Sequence, residues 1–252
     1  MKLSFVCTIA YDFQHAFKSI LSYYEIADEI ILGLDKDRIS WSKHGFDFDS
    51  KVFFDWINLY DSQNKIKVYE DNFHKSEEPM ENEVAERNYL SKLCKEENYI
   101  VSIDSDEVIL NQKEFLDWMI NKNVDGQDIK ANWITIYKVI ENKAFVTLPH
   151  ETVNVGTNLR DNYKKGRITS SSEVVLSPLK ILHFSWGRTR EQLIQKLQNF
   201  GHSKDFNIYK QVDVWDSINL NNYSRIKNFH PLNLKQWWTG LELLDLNSFN
   251  LK

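Results

Sequence analysis

The sequence predicts an α/β fold, a parallel sheet covered by helices, and three observations carry that prediction. An apolar run at residues 3–9, a helical face made by Phe17, Ile20, Leu21 and Tyr24, and a second apolar run at 30–34 place strand, helix and strand in succession. A βαβ unit of this kind pairs its strands in parallel. A further buried strand at 99–103 follows a helical stretch and ends in three carboxylates. Finally, 252 residues that are 42% hydrophobic can bury a core without disulfides, and the two cysteines, Cys7 and Cys94, are too few for a disulfide framework.

Along the chain, the second apolar run stops at Asp35-Lys36-Asp37-Arg38. Residues 40–64 are irregular in pattern, and 65–69 reads as a short strand. Residues 71–83 are polar, acidic and interrupted by Pro79, which reads as a loop. From 84 to 97 the pattern is helical, with Leu90, Leu93, Cys94 and Glu97 on one face and Arg87 on the same face a turn earlier. Phe115, Leu116, Met119 and Ile120 mark another helix, and 133–140 with 145–148 read as a pair of strands. Residues 150–172 lack periodicity and read as loop; 180–184 is a last apolar run. Thr189 and Gln192 then have capping-box spacing, ahead of a face made by Leu193, Ile194, Leu197 and Phe200. Gly201 sits where that helix would stop. Residues 1–206 read as one domain and 207–252 as an extension packed on it.

Composition narrows function. Lys and Arg total 31 against 36 Asp and Glu, a net charge of −5, which argues against a free-standing nucleic-acid binder. No apolar run approaches the roughly 18 residues of a membrane span, and the N-terminal apolar stretch is too short for a signal sequence. The chain therefore reads as cytoplasmic.

The acidic cluster Asp104-Ser105-Asp106-Glu107 carries the chemistry. In open α/β sheets ligands bind beyond the carboxyl ends of strands. Carboxylates packed this closely repel one another and resist burial unless a cation compensates them. Asp104 and Asp106 are two apart, so both point to one side, and a turn would let both reach one hard divalent ion. The bland alternative is a solvated turn with a helix N-cap. The buried strand before the cluster and the helix bearing Arg87 weigh against it.

Glu86-Arg87-Asn88 together with Ile103-Asp104-Ser105-Asp106-Glu107 resembles the family 2 glycosyltransferases of the GT-A fold. The N-terminal βαβ with Asp35 at the end of its second strand fits the same family. So does Leu182-His183-Phe184-Ser185-Trp186, followed by Lys196 and Gly201-His202-Ser203-Lys204-Asp205-Phe206, which resembles a bacterial surface-glycan subgroup. The resemblance implies a Rossmann-like GT-A fold, with a mostly parallel central sheet flanked by helices and a helical C-terminal extension. It implies a metal-dependent, inverting transfer of a sugar from a nucleotide-diphosphate donor to a glycan or lipid-linked acceptor. Asp104 and Asp106 would hold Mn²⁺ or Mg²⁺, with Asp106 central to catalysis, and His183 would be a further ligand. A ligating imidazole would lose its metal as pH falls towards about 6. Thr8, Ala10, Tyr11 and Asp35 would line the nucleoside site, with Asp35 alternatively a turn residue. Arg87 would brace the acidic loop, and Arg188 and Lys196 would meet the diphosphate or lie on a solvated face. The Glu-Asp pair that supplies the base in many members is missing; Glu151 is the best-placed substitute and Asp161 another. The location implied is the cytoplasm, with peripheral association at the inner face of the membrane open. Two other readings stand beside this one: a phosphatase with a nucleophilic Asp, and a non-catalytic carbohydrate-binding or scaffold protein.

Overall fold

The computed structural model describes residues 1–122, 124–232 and 237–249. The chain opens with β1 (Leu3–Ile9), α1 (Phe13–Leu21) and β2 (Glu29–Asp35), and every residue of both strands is buried. Then follow α2 (Ser50–Tyr60), β3 (Ile66–Asp71), α3 (Pro79–Leu93), β4 (Tyr99–Ser102), β5 (Glu107–Ile109) and α4 (Gln112–Asn121). The second half holds β6 (Asp128–Ile140), β7 (Lys143–Leu148), β8 (Glu151–Thr157), β9 (Val174–His183), α5 (Arg190–Asn199), α6 (Ile208–Ser217) and β10 (Gly240–Asp245).

These strands form one sheet with the main path β10-β7-β6-β8-β4-β1-β2-β3, while β9 pairs with β5 and β6. The half β3-β2-β1-β4 is parallel, as the βαβ signal requires. Beyond it the expectation of a mostly parallel sheet fails except between β6 and β9, which run parallel. β8 joins β4 antiparallel, and β6, β7 and β10 continue antiparallel. The physical reason is connection length: two residues join β6 to β7 and reverse the chain, and β8 then runs on in the direction of β7 on the other side of β6, so both flank it antiparallel.

α2 and β8 lie in stretches whose sequence pattern reads as irregular. α2 was hidden in residues 40–64, although Phe53, Trp56, Ile57 and Tyr60 sit at helical spacing behind Asp49, whose side chain accepts from the Val52 N–H. β8 was hidden in residues 150–172 because its polar residues face a cavity rather than solvent. α3 also starts earlier than read, with Pro79 in its first turn, where a missing N–H costs nothing.

The main core packs α1, α2 and α4 on β1, β2 and β4 through residues such as Phe5, Ile20, Leu32, Phe53 and Phe115. Gly33 lets α3 cross β2 closely, since a Cβ there would meet Leu90 Cδ1 at 2.6 Å. The extension is not only helical: β10 pairs with β7, and α6 packs Val212 and Trp215 into an aromatic cluster with Tyr137, Phe145 and Trp186. Buried Lys138 ends α6 by donating from Nζ to the carbonyls of Trp215 and Ile218, both at 2.8 Å, where the helix dipole favours a cation.

Candidate active site

A cavity of about 580 Å³ opens beyond the carboxyl ends of β1 and β4. Thr8, Ala10 and Tyr11 line it from the end of β1, Arg87 from α3, and Asp104 and Asp106 from the turn after β4. Trp133 and Thr135 on β6, Glu151 on β8, His183 at the end of β9 and Lys196 on α5 close the other side. The sheet's two halves thus meet at the cavity, which is where open α/β sheets take ligands.

Cations of the protein contact four of the six carboxylate oxygens of the acidic turn. Asp104 Oδ1 accepts from Arg87 Nη2 at 2.9 Å, and its Oδ2 lies 2.6 Å from Arg167 Nη2. Arg167 also donates to Glu107 Oε1 at 2.7 Å, and Glu107 Oε2 accepts from the Asp104 N–H at 2.9 Å. Asp106 Oδ2 accepts from Arg188 Nη2 at 2.6 Å and pairs with the Lys196 ammonium. Arg188 reaches on to Asp12 Oδ2 at 2.7 Å. Burial alone would raise both aspartates. Instead the Arg167 and Arg87 guanidinium groups hold Asp104 below the usual carboxylate range, and Lys196 with Arg188 does the same for Asp106. Like-charge repulsion within the D-x-D is therefore answered by protein cations.

Asp106 Oδ1 faces His183 Nε2 at 3.7 Å, too far for a hydrogen bond. His183 stacks on Trp133 with ring centroids 4.0 Å apart, and its Nδ1 is buried without a partner. Burial pushes its imidazole down to about 3, so it is neutral and its lone pair is free. A divalent ion is the group this pair fits: one carboxylate oxygen and one imidazole nitrogen, both otherwise unengaged. Asp104 does not fit as a ligand, since both its oxygens are held by guanidinium groups. Among the described residues, no group of three or more His, Cys, Asp and Glu side chains is arranged around a common metal position.

Glu151 stands apart from all these cations. Its Oε1 accepts from Trp237 Nε1 at 2.5 Å, and its Oε2 from Trp238 Nε1 at 3.2 Å and Thr135 Oγ1 at 3.3 Å. Neutral donors fix this carboxylate in place at the cavity wall. On the opposite wall, Glu86 Oε2 accepts from Trp41 Nε1 at 2.7 Å and from His74 Nε2 at 3.0 Å. His74 Nδ1 meets the Ile39 carbonyl at 2.6 Å, so both ring nitrogens face acceptors. Burial opposes charge on His74, but Glu86 outweighs it and its pKa is raised.

The structure gathers Thr8, Ala10, Tyr11, Arg87, Asp104, Asp106, Glu151, His183 and Lys196 around one cavity, with Arg188 behind them. Asp35 is not among the lining residues. It is 2% exposed, with Oδ1 accepting from the N–H groups of Asp37 and Ile39 and Oδ2 from that of Phe73, the turn role. Asp161 lies outside the cavity and pairs with Lys92 at 3.3 Å on the surface. Sequence reasoning missed Arg167, Asp12, Trp237 and Trp238. Arg167 lies in a segment without periodicity, and two adjacent tryptophans in a tail give no spacing signal.

No family model matches the chain, and no curated protein matches it. Among solved structures it is similar to S. aureus TarS, at 14% identity over 88% of this chain and 45% of that one, with a TM-score of 0.39. It thus spans about half of that neighbour. It is also similar to 4-diphosphocytidyl-2C-methyl-D-erythritol synthase, at 8% identity over 86% of each chain, with a TM-score of 0.31.

Proposed function

We propose that this chain is a glycosyltransferase that moves a sugar from a nucleotide-diphosphate donor to an acceptor hydroxyl. One observation carries the reading. A single cavity at the carboxyl ends of parallel strands has a cation-rich acidic turn on one side and the cation-free carboxylate of Glu151 on another. The first suits a diphosphate leaving group, the second a general base.

In the proposed reaction the acceptor oxygen bonds to the anomeric carbon while the bond from that carbon to the donor phosphate breaks. The leaving nucleoside diphosphate takes the electron pair, and Glu151 takes the acceptor proton. Attack opposite the leaving group inverts the anomeric centre. Lys196 lines the cavity, where it can exchange Asp106 for phosphate oxygen, Arg188 holds Asp106 from behind, and Arg87 with Arg167 keeps the turn rigid. Asp106 and His183 would hold Mn²⁺ or Mg²⁺, whose chemistry is Lewis-acid neutralisation of the diphosphate. A nitrogen ligand tilts the choice towards Mn²⁺. Among the described residues no helix is long and apolar enough to cross a membrane, so a lipid-linked acceptor would meet the chain at a membrane surface.

The test is a thermal-shift screen of nucleoside diphosphates and their sugars, with Mn²⁺ or with chelator. A ligand that binds only the folded state raises the melting temperature by mass action. Metal-dependent stabilisation by one nucleotide, and hydrolysis of its sugar conjugate, support the reading. A panel that neither stabilises the chain nor is hydrolysed overturns it and returns the non-catalytic reading.

A further inference from the structure

We propose that Trp237 and His230 build the acceptor subsite beside Glu151, with Trp237 as its floor, and that this subsite takes an uncharged pyranose. The proposal rests on the glycosyltransferase reading and names the acceptor's chemistry.

The first observation is the grip on Glu151. Trp237 and Trp238 are consecutive, and neighbouring side chains in extended chain point to opposite sides. Here both indole N–H groups reach one carboxylate, at 2.5 and 3.2 Å. The backbone manages this by placing Trp238 at φ 54°, a left-handed conformation unusual for so large a residue. Such strain persists only where the surroundings fix it, and it concentrates at functional sites. Trp238 is fixed by ring contacts with Tyr137 and Trp186 at 5.7 and 5.8 Å.

The second observation is the surface beside that carboxylate. Trp237 is half-buried and lines the cavity, with His230 stacked against it at 3.9 Å and 7°. Burial, then the neighbouring His202, pushes His230 down to about 4, so the stacked pair is neutral. The outer face of the Trp237 indole, its other face backed by the neutral imidazole, next to a hydrogen-bond acceptor matches a pyranose. The C–H face of the sugar covers the free indole face while a hydroxyl reaches the acceptor.

The third observation is charge. The cations of the acidic turn all engage Asp104, Asp106, Glu107 or Asp12, and none is a partner of Glu151. Lys130 and Lys165 also line the cavity, but among the described residues neither forms an ion pair with Glu151, so a phosphate or carboxylate in contact with Glu151 would face an uncompensated carboxylate. The sugar that receives the transfer is therefore neutral. Trp237 and Trp238 act on the reaction through Glu151 and are positioning residues.

The experiment measures glycoside binding directly, by saturation-transfer NMR and calorimetry on the full chain. The probes are methyl glucoside, methyl galactoside and methyl N-acetylglucosaminide, with methyl glucuronide as the charged control. At least one neutral glycoside is expected to bind, and the glucuronide tenfold more weakly or not at all. Trp237→Ala should weaken that binding tenfold or more. Trp237→Phe keeps the ring and loses the N–H, so it should bind the glycoside within about threefold of the parent while hydrolysing donor sugar about tenfold more slowly. Nucleoside diphosphate affinity, measured on the same samples, should be unchanged in both variants, and their melting temperatures verify folding. Absence of neutral-glycoside binding in the parent, equal binding of the glucuronide, or unchanged binding in Trp237→Ala overturns the proposal. Loss of nucleotide binding by the parent would instead strike the glycosyltransferase reading while leaving the glycoside measurements to decide the subsite.

Discussion

Replacing Asp104 by asparagine separates two roles that a D-x-D motif usually leaves entangled. Asp104 is contacted by guanidinium groups at 2.9 and 2.6 Å, and Asp104→Asn leaves Arg87 and Arg167 without that counter-charge. Removing one partner of a buried pair costs about 3–5 kcal/mol. The Asp104 side chain is 24% exposed and the amide keeps one acceptor oxygen, so about 3 kcal/mol, the low end of that range, is expected. For a domain of this size that is a fall of roughly 6–12 °C in melting temperature. The sign of the pH dependence follows. The folded carboxyl lies below its unfolded value, so its contribution is fully present above about pH 4 and is lost as pH falls further. Melts of parent and variant should differ most at pH 7 and draw together gradually below pH 4, with part of the difference remaining at pH 3. Mn²⁺ titrations in the presence of nucleotide should be unchanged for the folded variant. An Asp104→Asn variant that melts like the parent but has lost Mn²⁺-dependent nucleotide binding would make Asp104 a metal ligand and refute this division.

Asp106→Asn should lose metal-dependent nucleotide binding and several kcal/mol of transition-state stabilisation. Contrary to simple relief of repulsion it should also lower the melting temperature, because Arg188 and Lys196 lose their shared partner; a stability gain in melts would contradict the network. His183→Ala should weaken Mn²⁺ binding. In the parent that binding should survive below pH 6, since burial already holds His183 neutral to about pH 3; a Mn²⁺ affinity that collapses near pH 6 counts against a buried ligand. His74 has the opposite sign: its raised pKa makes its stabilisation complete below about pH 6.5 and lost as pH rises through the folded value. His74→Gln should flatten that alkaline loss in urea melts. Thr189→Ala removes a capping-box oxygen that accepts from the Gln192 N–H and should cost about 1 kcal/mol by the same measurement.

Local signals in the sequence were reliable where period and burial agree. The first strand, the βαβ unit, the strand before the acidic turn and the Thr189–Gln192 box all follow from spacing alone. β8 did not, because its exposed-looking polar residues face an internal cavity, and alternation there reads as noise. The acidic turn was legible as a cluster of charge needing compensation, but not what compensates it. Arg167 reaches Asp104 from 63 positions along the chain through an irregular segment, and Arg188 reaches Asp106 from 82. Such partners are set by tertiary topology, which no spacing rule encodes. Asp35 shows the converse: a strand-end carboxylate in the expected place spends its oxygens on three backbone N–H groups of its own turn and the next strand's end.

The charge balance of the site bears on how a donor would enter it. Asp12, Glu83, Asp104, Asp106 and Glu107 face Arg87, Arg167, Arg188 and Lys196, five carboxylates to four cations. In a buried network with one formal negative charge left over, the cations are already engaged, and a diphosphate adds more negative charge. Lys196, which lines the cavity, can turn to phosphate only by leaving Asp106, which would leave that buried carboxylate to Arg188 alone unless another cation takes its place. The unengaged edge of that carboxylate, Oδ1 beside the neutral His183 Nε2, is where a divalent ion would restore the balance. Metal and nucleotide should therefore bind with positive coupling, each raising the affinity for the other by the same factor. Calorimetric titrations run in both orders test this: equal coupling is expected in the parent. Independent binding of the two would mean that the protein's own cations suffice for the diphosphate and that Asp106 and His183 serve the fold.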